Sequence, residues 1–208
     1  MAATRSTRTD RFVGRIAGFG TTSGTRFVVG SWRDSPFGAF TDVMVERTDG
    51  HRLLLAPSVE IAEYVGSTYS FDAVRVVPVT VTEVGGSLHL EAGPLAADIR
   101  IGEVTPLGRL LRLVPRAFAT RPGWLTLIDP VARIVMPGVR TAGSAGAGRR
   151  EYYGVTAARS IPAVAGTWDG ADFGTLAPLA PPVRFGFGSA PSEPHIVDVT
   201  TTIRLPHR

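Results

Sequence analysis

The stretch FTDVMVERTDGHRLLLA, residues 40–56, decides how this chain folds. Its first half alternates, and one face of the resulting strand carries two acids between apolar side chains: Phe40, Asp42, Met44 and Glu46. The Asp49-Gly50 step favours a hairpin turn, and the apolar run after it returns as a second strand. An antiparallel hairpin with acids on one face is therefore the unit from which the rest of the fold is inferred.

Most of the remaining chain is also predicted to be extended. Strand-like segments lie at 12–19, 26–32, 71–84, 87–91, 95–101, 149–156, 183–188 and 196–203. The run 71–84 changes phase just before Pro78, which predicts a bulge or bend there. Pro57-Ser58 opens a short helix, and residues 106–136 carry helical spacing with prolines near its starts and stops.

These elements predict an α+β fold. Because few helices interleave with the strands, a mixed, mainly antiparallel sheet fits better than a parallel doubly wound one. We expect that sheet to be barrel-like or strongly curved, with a helical insertion at about 106–136. Residues 1–10 are predicted to form a flexible N-terminus, and 11–208 a single domain.

The composition excludes several chemistries. The 208 residues include no cysteine and no lysine, so all 22 basic residues are arginine. Thiolate and amine side-chain nucleophiles, disulfides and cysteine–zinc sites are therefore ruled out. The four histidines are scattered without metal-site spacing, and we predict neither a metal nor another cofactor. No stretch reaches the roughly 20 apolar residues of a membrane span, and no secretory signal is seen, so a cytoplasmic protein is expected.

A glycine-rich stretch, GSAGAGRREYYG at 143–154, differs from a phosphate-binding loop. Such loops need a lysine and a following helix, whereas here two arginines lead into a strand. We therefore predict a loop that feeds a strand. Alternation places Arg150 and Tyr152 on one face of that strand and Glu151 and Tyr153 on the other, and either face could meet a ligand.

The segment SPFGAFTDVMVE, residues 35–46, resembles the acetoacetate decarboxylase-like superfamily. Members carry a G-P-[YF]-x-E-type segment at the start of a barrel strand. Residues 38–42 are similar, with Asp42 in the position of the acid. The resemblance covers about residues 32–81 and implies a domain of that superfamily built around a ligand cavity.

A second part of the resemblance bears on mechanism. Residues 59–66 are similar to the family's G-R-E-x-x-G-[FY]-P-K-like segment, with Glu60 matching its glutamate and Tyr64 its aromatic residue. The family's decarboxylases form a Schiff base through the lysine of that segment, whose position here falls near Gly66. The resemblance therefore implies a divergent member in which imine-based decarboxylation is ruled out.

A curved sheet can enclose a ligand cavity. The candidate polar residues lining it are Asp42, Glu46, Arg75, Arg150, Glu151 and Tyr152. Arg75 would clamp a carboxylate through its planar guanidinium. A buried Asp42 or Glu46 would act as an acid or base with a raised pKa.

Three functions remain open. The first is a non-enzymatic protein that binds an organic acid or an apolar metabolite. The second is a lysine-independent lyase, isomerase or hydrolase that uses Asp, Glu and Arg in the same cavity. The third is a partner- or membrane-surface-binding protein whose Arg-rich amphipathic helices carry Arg109, Arg112, Arg116, Arg121 and Arg133. A nucleic-acid partner is not expected, and a homo-oligomer is possible.

Overall fold

The computed structural model describes residues 8–135, 140–186 and 191–205. The strands are β1 (Thr9–Thr21), β2 (Arg26–Asp34), β3 (Phe40–Glu46), β4 (Arg52–Ala56), β5 (Ala73–Val76), β6 (Val79–Val84), β7 (Ser87–Ala92), β8 (Leu95–Arg100), β9 (Ala142–Ser144), β10 (Arg150–Ser160), β11 (Ala163–Trp168), β12 (Ala171–Asp172), β13 (Leu176–Ala177) and β14 (His195–Arg204). The helices are α1 (Val59–Thr68), α2 (Pro106–Leu111), α3 (Arg116–Ala119) and α4 (Pro122–Val135).

The strands form two sheets. The larger has nine strands in the order β5-β4-β3-β2-β1-β14-β10-β9, with β13 paired to the end of β1. All its pairs are antiparallel except β4 with β5. The smaller sheet is antiparallel, in the order β12-β11-β8-β7-β6. The chain is thus mostly sheet with few helices, as predicted.

The barrel form of that prediction does not hold. Within the described residues the larger sheet runs as an open path whose ends, β5 and β9, are not paired with each other. The smaller sheet lies across one face of the larger one and forms the main core with it. Closure is unnecessary because this second layer already buries the apolar side chains that a barrel would bury internally.

Alternation along the central strands separates the two faces of the larger sheet. One face packs on the smaller sheet through the side chains Phe19, Phe27, Val29, Val43, Val45, Leu53 and Leu55. Fully burying such a side chain stabilises the fold by about 1.5–3 kcal/mol. The intervening residues point to the opposite face, which the helices cover. The predicted face that carries Asp42 and Met44 is this second one.

Helix α1 begins where the sequence predicts. The Ser58 hydroxyl accepts a hydrogen bond from the Ile61 amide at 3.3 Å, which satisfies one of the free amides at the helix start. Its buried residues Ile61, Ala62 and Val65 pack against Leu54 of β4. Because Leu54 points away from the smaller sheet, α1 covers the second face of the larger sheet.

The predicted helical insertion forms as three helices, α2 to α4, and its last predicted residue lies outside the described part of the chain. Thr105 caps α2 by accepting a hydrogen bond from the Gly108 amide at 3.0 Å. A side chain at Gly108 would lie 2.2 Å from the Ala158 carbonyl oxygen, so this glycine lets α2 pack directly on β10.

Two predicted strands differ from the structure. The run 71–84 forms two strands, β5 and β6, which lie in different sheets. The break falls at Val77 and Pro78: the Val77 amide still donates to Ala56, but proline has no amide to continue the ladder. The strand predicted at 183–188 does not form over 183–186, because the Arg184 amide donates to a Glu46 carboxylate oxygen at 2.6 Å instead. Residues 187–188 lie outside the described part of the chain.

Candidate functional site

A cavity of about 710 Å³ lies on the face of the larger sheet opposite the smaller sheet. Its floor consists of alternate residues of β1, β2, β3, β10 and β14, and its walls come from α1, α2 and α4. The remaining edge is formed by Val183, Phe185 and Gly186 and by residues 191–194. The lining is mostly apolar, and its size is that of a small-molecule site.

Asp42 is one of two buried carboxyl groups in this cavity, with a relative exposure of 2%. Its Oδ1 accepts a hydrogen bond from Trp32 Nε1 at 3.0 Å. Gly30 lies opposite Asp42 across β2 and β3, and a Cβ there would fall 2.8 Å from Oδ1. Glycine therefore makes room for the contact. Burial raises the Asp42 pKa to about 7, and the hydrogen bond from Trp32 opposes that rise.

Glu151 of β10 is the second buried carboxyl group, with no exposed surface. Its Oε1 accepts a hydrogen bond of 2.5 Å from the Tyr69 phenol, which is also 2.8 Å from the Tyr153 phenol. Burial raises the Glu151 pKa to about 7, although these two phenols and the charge of Arg149 favour the ionised form. Burial also raises the pKa values of Tyr69 and Tyr153 well above the ordinary value, so both remain neutral.

The two carboxyl groups line the same cavity from distant strands. Asp42 and Glu151 lie on β3 and β10, four strands apart, a span of about 19 Å on a flat sheet. Their side chains nevertheless line one cavity, and the charge of Asp42 adds to the rise in the Tyr153 pKa. The cavity therefore extends across the central strands of the larger sheet, with one buried acid on β3 and the other on β10.

Residues at the C-terminal end of α1 lie near Glu151. The Tyr64 phenol lines the cavity and donates to Asp10 Oδ2 at 3.0 Å. The Arg149 guanidinium lies 4.8 Å from the centre of the Tyr64 ring and donates to the Tyr64 carbonyl at 3.2 Å and to Thr68 Oγ1. Arg149 is thus held against the C-terminal turn of α1, where its positive charge also interacts favourably with the helix dipole.

His195 lies at another part of the lining, opposite Ser160 of β10. Its Nδ1 is 2.7 Å from the Glu193 carbonyl oxygen, and burial lowers its pKa. The imidazole is therefore neutral at pH 7. Among the described residues, no group of three or more His, Cys, Asp and Glu side chains is arranged to hold a metal ion.

Two of the six predicted site residues, Asp42 and Glu151, line the cavity. Glu46 is buried but forms an ion-pair network, with Arg26 Nη2 at 3.3 Å and Arg184 Nε at 3.2 Å. Arg75 is exposed on β5 and so cannot act as the predicted carboxylate clamp inside the cavity.

The other two predicted residues lie on the opposite face of β10. Arg150 is exposed, 5.7 Å from the centre of the Tyr152 ring, and Tyr152 packs with Leu125 and Ala142. Of the two possible faces of this strand, the one with Glu151 and Tyr153 meets the cavity, whereas Tyr152 on the other face packs against Leu125 of α4.

Sequence reasoning missed two important residues, Trp32 and Tyr69. The position of Trp32 could have been predicted from the sequence. It shares a face of its strand with Val28 and Gly30, and it pairs with Phe40, which lies on the same face as Asp42. Tyr69 follows the last residue of α1, where local periodicity gives no direction for a side chain. Of the residues matched to the second family segment, Tyr64 lines the cavity and Glu60 is exposed.

The helical insertion exposes apolar as well as basic side chains. Arg109, Arg112 and Arg121 are exposed, while the side chains of Arg116 and Arg133 lie outside the described part of the structure. Leu113 and Leu127 are 78% and 73% exposed. Within the described residues, no helix combines the length and apolarity that a membrane crossing requires.

Two solved structures are similar to this chain. No protein-family model and no curated protein sequence matches the chain. The crystal structure of acetoacetate decarboxylase from Legionella pneumophila subsp. pneumophila str. Philadelphia 1 is 13% identical, and the match covers 99% of this chain and 88% of that one with a TM-score of 0.43. A second acetoacetate decarboxylase structure is 11% identical over 97% and 88% of the two chains, with a TM-score of 0.44. At these TM-scores the similarity carries no argument about this chain.

Proposed function

We propose that this protein binds an apolar small molecule in the cavity between the larger sheet and its helices. The observation that carries the proposal is a cavity of about 710 Å³, mostly apolar, in which the buried carboxyls of Asp42 and Glu151 provide the polar anchors. Natural ligand sites combine an apolar lining with a few placed polar groups in this way.

An apolar metabolite is favoured over an organic acid. None of the described residues that line the cavity is an arginine, and the sequence contains no lysine. The residue expected to clamp a carboxylate, Arg75, is exposed on β5. An anionic ligand would therefore face two carboxyl groups without a compensating cation.

Native mass spectrometry of the purified protein tests this proposal, with Val28→Phe as the key variant. Val28 lines the cavity beside Gly18, which has no side chain, so a larger ring there reduces the space for a ligand. We expect a bound small molecule on the wild-type protein and its loss from Val28→Phe. Val84→Phe, at an exposed position of β6, is the matched control and should retain the ligand. Identical ligand occupancy in all three proteins would contradict the proposal.

Acid–base catalysis in the same cavity is the second candidate. The specific observation in its favour is that both buried carboxyls have a pKa of about 7, which suits a group that gives and takes protons near neutral pH. Phenylbutanone in D₂O provides a simple assay, because a base acting on the carbon next to the carbonyl exchanges its hydrogen for deuterium. Exchange above background that is lost in Asp42→Asn or Glu151→Gln would support a lyase or isomerase. Background exchange in all variants would leave binding as the function.

We also propose that the chain is a divergent relative of the acetoacetate decarboxylase-like proteins that works without their Schiff-base lysine. In support, Asp42 and Tyr64, matched to two family segments, both line the cavity, and the lysine position falls near Gly66 of α1. Borohydride treatment with acetoacetate should give no covalent adduct at any side chain. An adduct on a residue inside the chain would overturn this proposal.

The third function, surface binding through the Arg-rich helices, is supported by the exposed Leu113 and Leu127 next to exposed arginines. Anionic lipid vesicles separate it from the cavity function. If the helices bind such a surface, Leu127→Glu should abolish co-sedimentation with the vesicles, and Val84→Glu, on the smaller sheet, should not.

A further inference from the structure

We propose that the cavity selects an apolar molecule carrying a protonated amine, and that Glu151 and Asp42 provide the counter-charge for that amine. This inference names the ligand class for the binding function proposed above and rests on it.

The first argument is the charge of the lining. The described lining residues include the acids Asp42, Glu151 and Glu193, and its one basic residue is His195. Since burial lowers the His195 pKa, this side chain is neutral at pH 7. A cavity with acids and no fixed cation favours a cationic ligand over a neutral one and disfavours an anion.

The second argument is the presence of two buried oxygens without hydrogen-bond partners among the described residues. Glu151 Oε2 and Thr201 Oγ1 are both buried, and neither has a hydrogen-bond partner within the described structure. Both residues line the cavity. An unpaired buried carboxyl oxygen destabilises the fold unless something donates to it. An ammonium group carries three N–H donors, so it can donate to the carboxylate oxygen of Glu151 and to the hydroxyl oxygen of Thr201.

The third argument is the ring content of the cavity. Trp32, Phe40, Tyr64 and Tyr153 line it together with many aliphatic side chains. Aromatic faces attract cations, and the attraction strengthens when water is excluded. The same lining buries the apolar part of an amphipathic amine. A hydrophilic polyamine would leave that surface uncovered, so the ligand class is an apolar molecule with a single basic nitrogen.

The groups around Glu151 define how binding should vary with pH. Tyr64 of α1 and Tyr69, which follows that helix, face it, Tyr153 lies beside it on β10, and Arg149 carries the nearby positive charge. The phenols stay neutral and Arg149 stays charged, so the carboxyl group itself titrates. Because its pKa is about 7, the carboxylate fraction rises through neutral pH, and amine affinity should rise between about pH 6 and about pH 8.

Isothermal titration calorimetry with three probes of one shape tests the inference on the wild-type protein. The probes are phenylbutylamine, phenylbutanol and phenylbutyrate. At pH 8 we expect the amine to bind at least about tenfold more tightly than the alcohol, and the carboxylate to bind weakest. The amine affinity should rise from about pH 6 to about pH 8 while the alcohol affinity changes little.

Two variants test whether Glu151 causes the preference for the amine. Glu151→Gln keeps the volume and the acceptor for Tyr69, so it should bring the amine affinity to within about threefold of the alcohol affinity. Glu91→Gln, the same change at an exposed position of β7, should alter neither affinity.

The outcomes separate the two proposals. If the alcohol or the carboxylate binds as tightly as the amine, the amine inference is overturned and the cavity function stands. If all three probes bind equally weakly to wild-type and Val28→Phe protein, the cavity function fails and the amine inference fails with it. Because the probe comparison uses the wild-type protein, it decides the matter even if Glu151→Gln does not fold.

Discussion

At the scale of single residues, the main feature is the burial of two carboxyl groups that are not paired with a cation in the cavity. A buried carboxylate is costly, so each group raises its pKa and holds a proton until about pH 7. Glu46 illustrates the opposite solution, because it is equally buried but lies between two arginines. Asp42 and Glu151, by contrast, face the cavity without an ion pair among the described residues, as expected of a functional site.

Asp42→Asn tests the cost of that burial. The folded pKa of about 7 lies above the ordinary 3.8, so the folded protein keeps a proton that the unfolded chain releases. The stabilising contribution is complete below about pH 4 and is lost as the pH rises to about 7. We expect Asp42→Asn, measured by urea unfolding, to gain stability relative to wild type across this window, reaching on the order of 2–4 kcal/mol at pH 8. Asp34→Asn, an exposed control, should show no such gain.

Gly30→Ala tests the packing around the same carboxyl. Its Cβ would lie 2.8 Å from Asp42 Oδ1 and 2.9 Å from Trp32 Nε1, so the contact between them must break or shift. We expect a loss of about 1–3 kcal/mol in the free energy of unfolding and a change in tryptophan fluorescence. Gly66→Ala is the matched control: nothing lies within 4 Å, and alanine in α1 should add about 0.5–1 kcal/mol. Equal effects at both sites would contradict this account.

At the scale of elements, long-range contacts decide several boundaries. The segment 181–184 adds no strand; instead it closes over the Glu46 network, where Arg26 Nη1 donates to the Pro181 carbonyl at 2.5 Å. This network ties β2, β3 and the cavity rim together. Val77 and Pro78 similarly direct the chain from one sheet to the other, so one predicted strand becomes two.

Glu46→Ala should therefore be far more damaging than the loss of an ordinary surface ion pair. It leaves Arg26, whose side chain is 6% exposed, buried without its counter-charge, which typically costs 3–5 kcal/mol, by the rough scale for such pairs. Glu83→Ala breaks the more exposed pair with Arg15, at 2.8 Å, and should cost less than about 1 kcal/mol. Chemical denaturation of both variants measures the difference, and similar losses would show that the buried network is not the stabilising unit.

The same elements show what the sequence could and could not predict. The strand with Asp42 was predictable because the β-branched residues Thr41, Val43 and Val45 recur at every second position before an Asp-Gly turn. On β10 the residues Glu151, Tyr152, Tyr153 and Gly154 are all buried, so alternation gave two faces without saying which one meets a ligand. Arg75 was misplaced because its exposure depends on β5 being the edge strand of the larger sheet. The position of Tyr69 against Glu151 joins residues 82 apart in the chain, which no local pattern contains.

At the scale of the whole molecule, the two layers have different roles: one stabilises the fold and the other forms the candidate site. The smaller sheet and one face of the larger sheet form the main core, and the other face with the helices forms the cavity. Each central strand contributes to both layers through alternate residues. A substitution therefore affects mainly one layer, according to its place in the alternation.

Adjacent valines on β2 provide the test of this division. Val29 is buried in the main core, whereas its neighbour Val28 is partly exposed in the cavity wall. We expect Val29→Ala to lower the free energy of unfolding by about 2 kcal/mol, and Val28→Ala by less than about 1 kcal/mol. Comparable losses in urea unfolding would mean that the cavity wall contributes as much to stability as the core does.

This two-sided use of the central strands has a consequence for protein engineering and for evolution. Ile16, Val28, Met44 and Val197 face the cavity from four different strands. A combinatorial library at these positions would diversify recognition while the opposite side chains keep the scaffold intact. Selection should then give new ligand specificities without compensating mutations. Such mutations are needed when the binding residues also form the core of the protein.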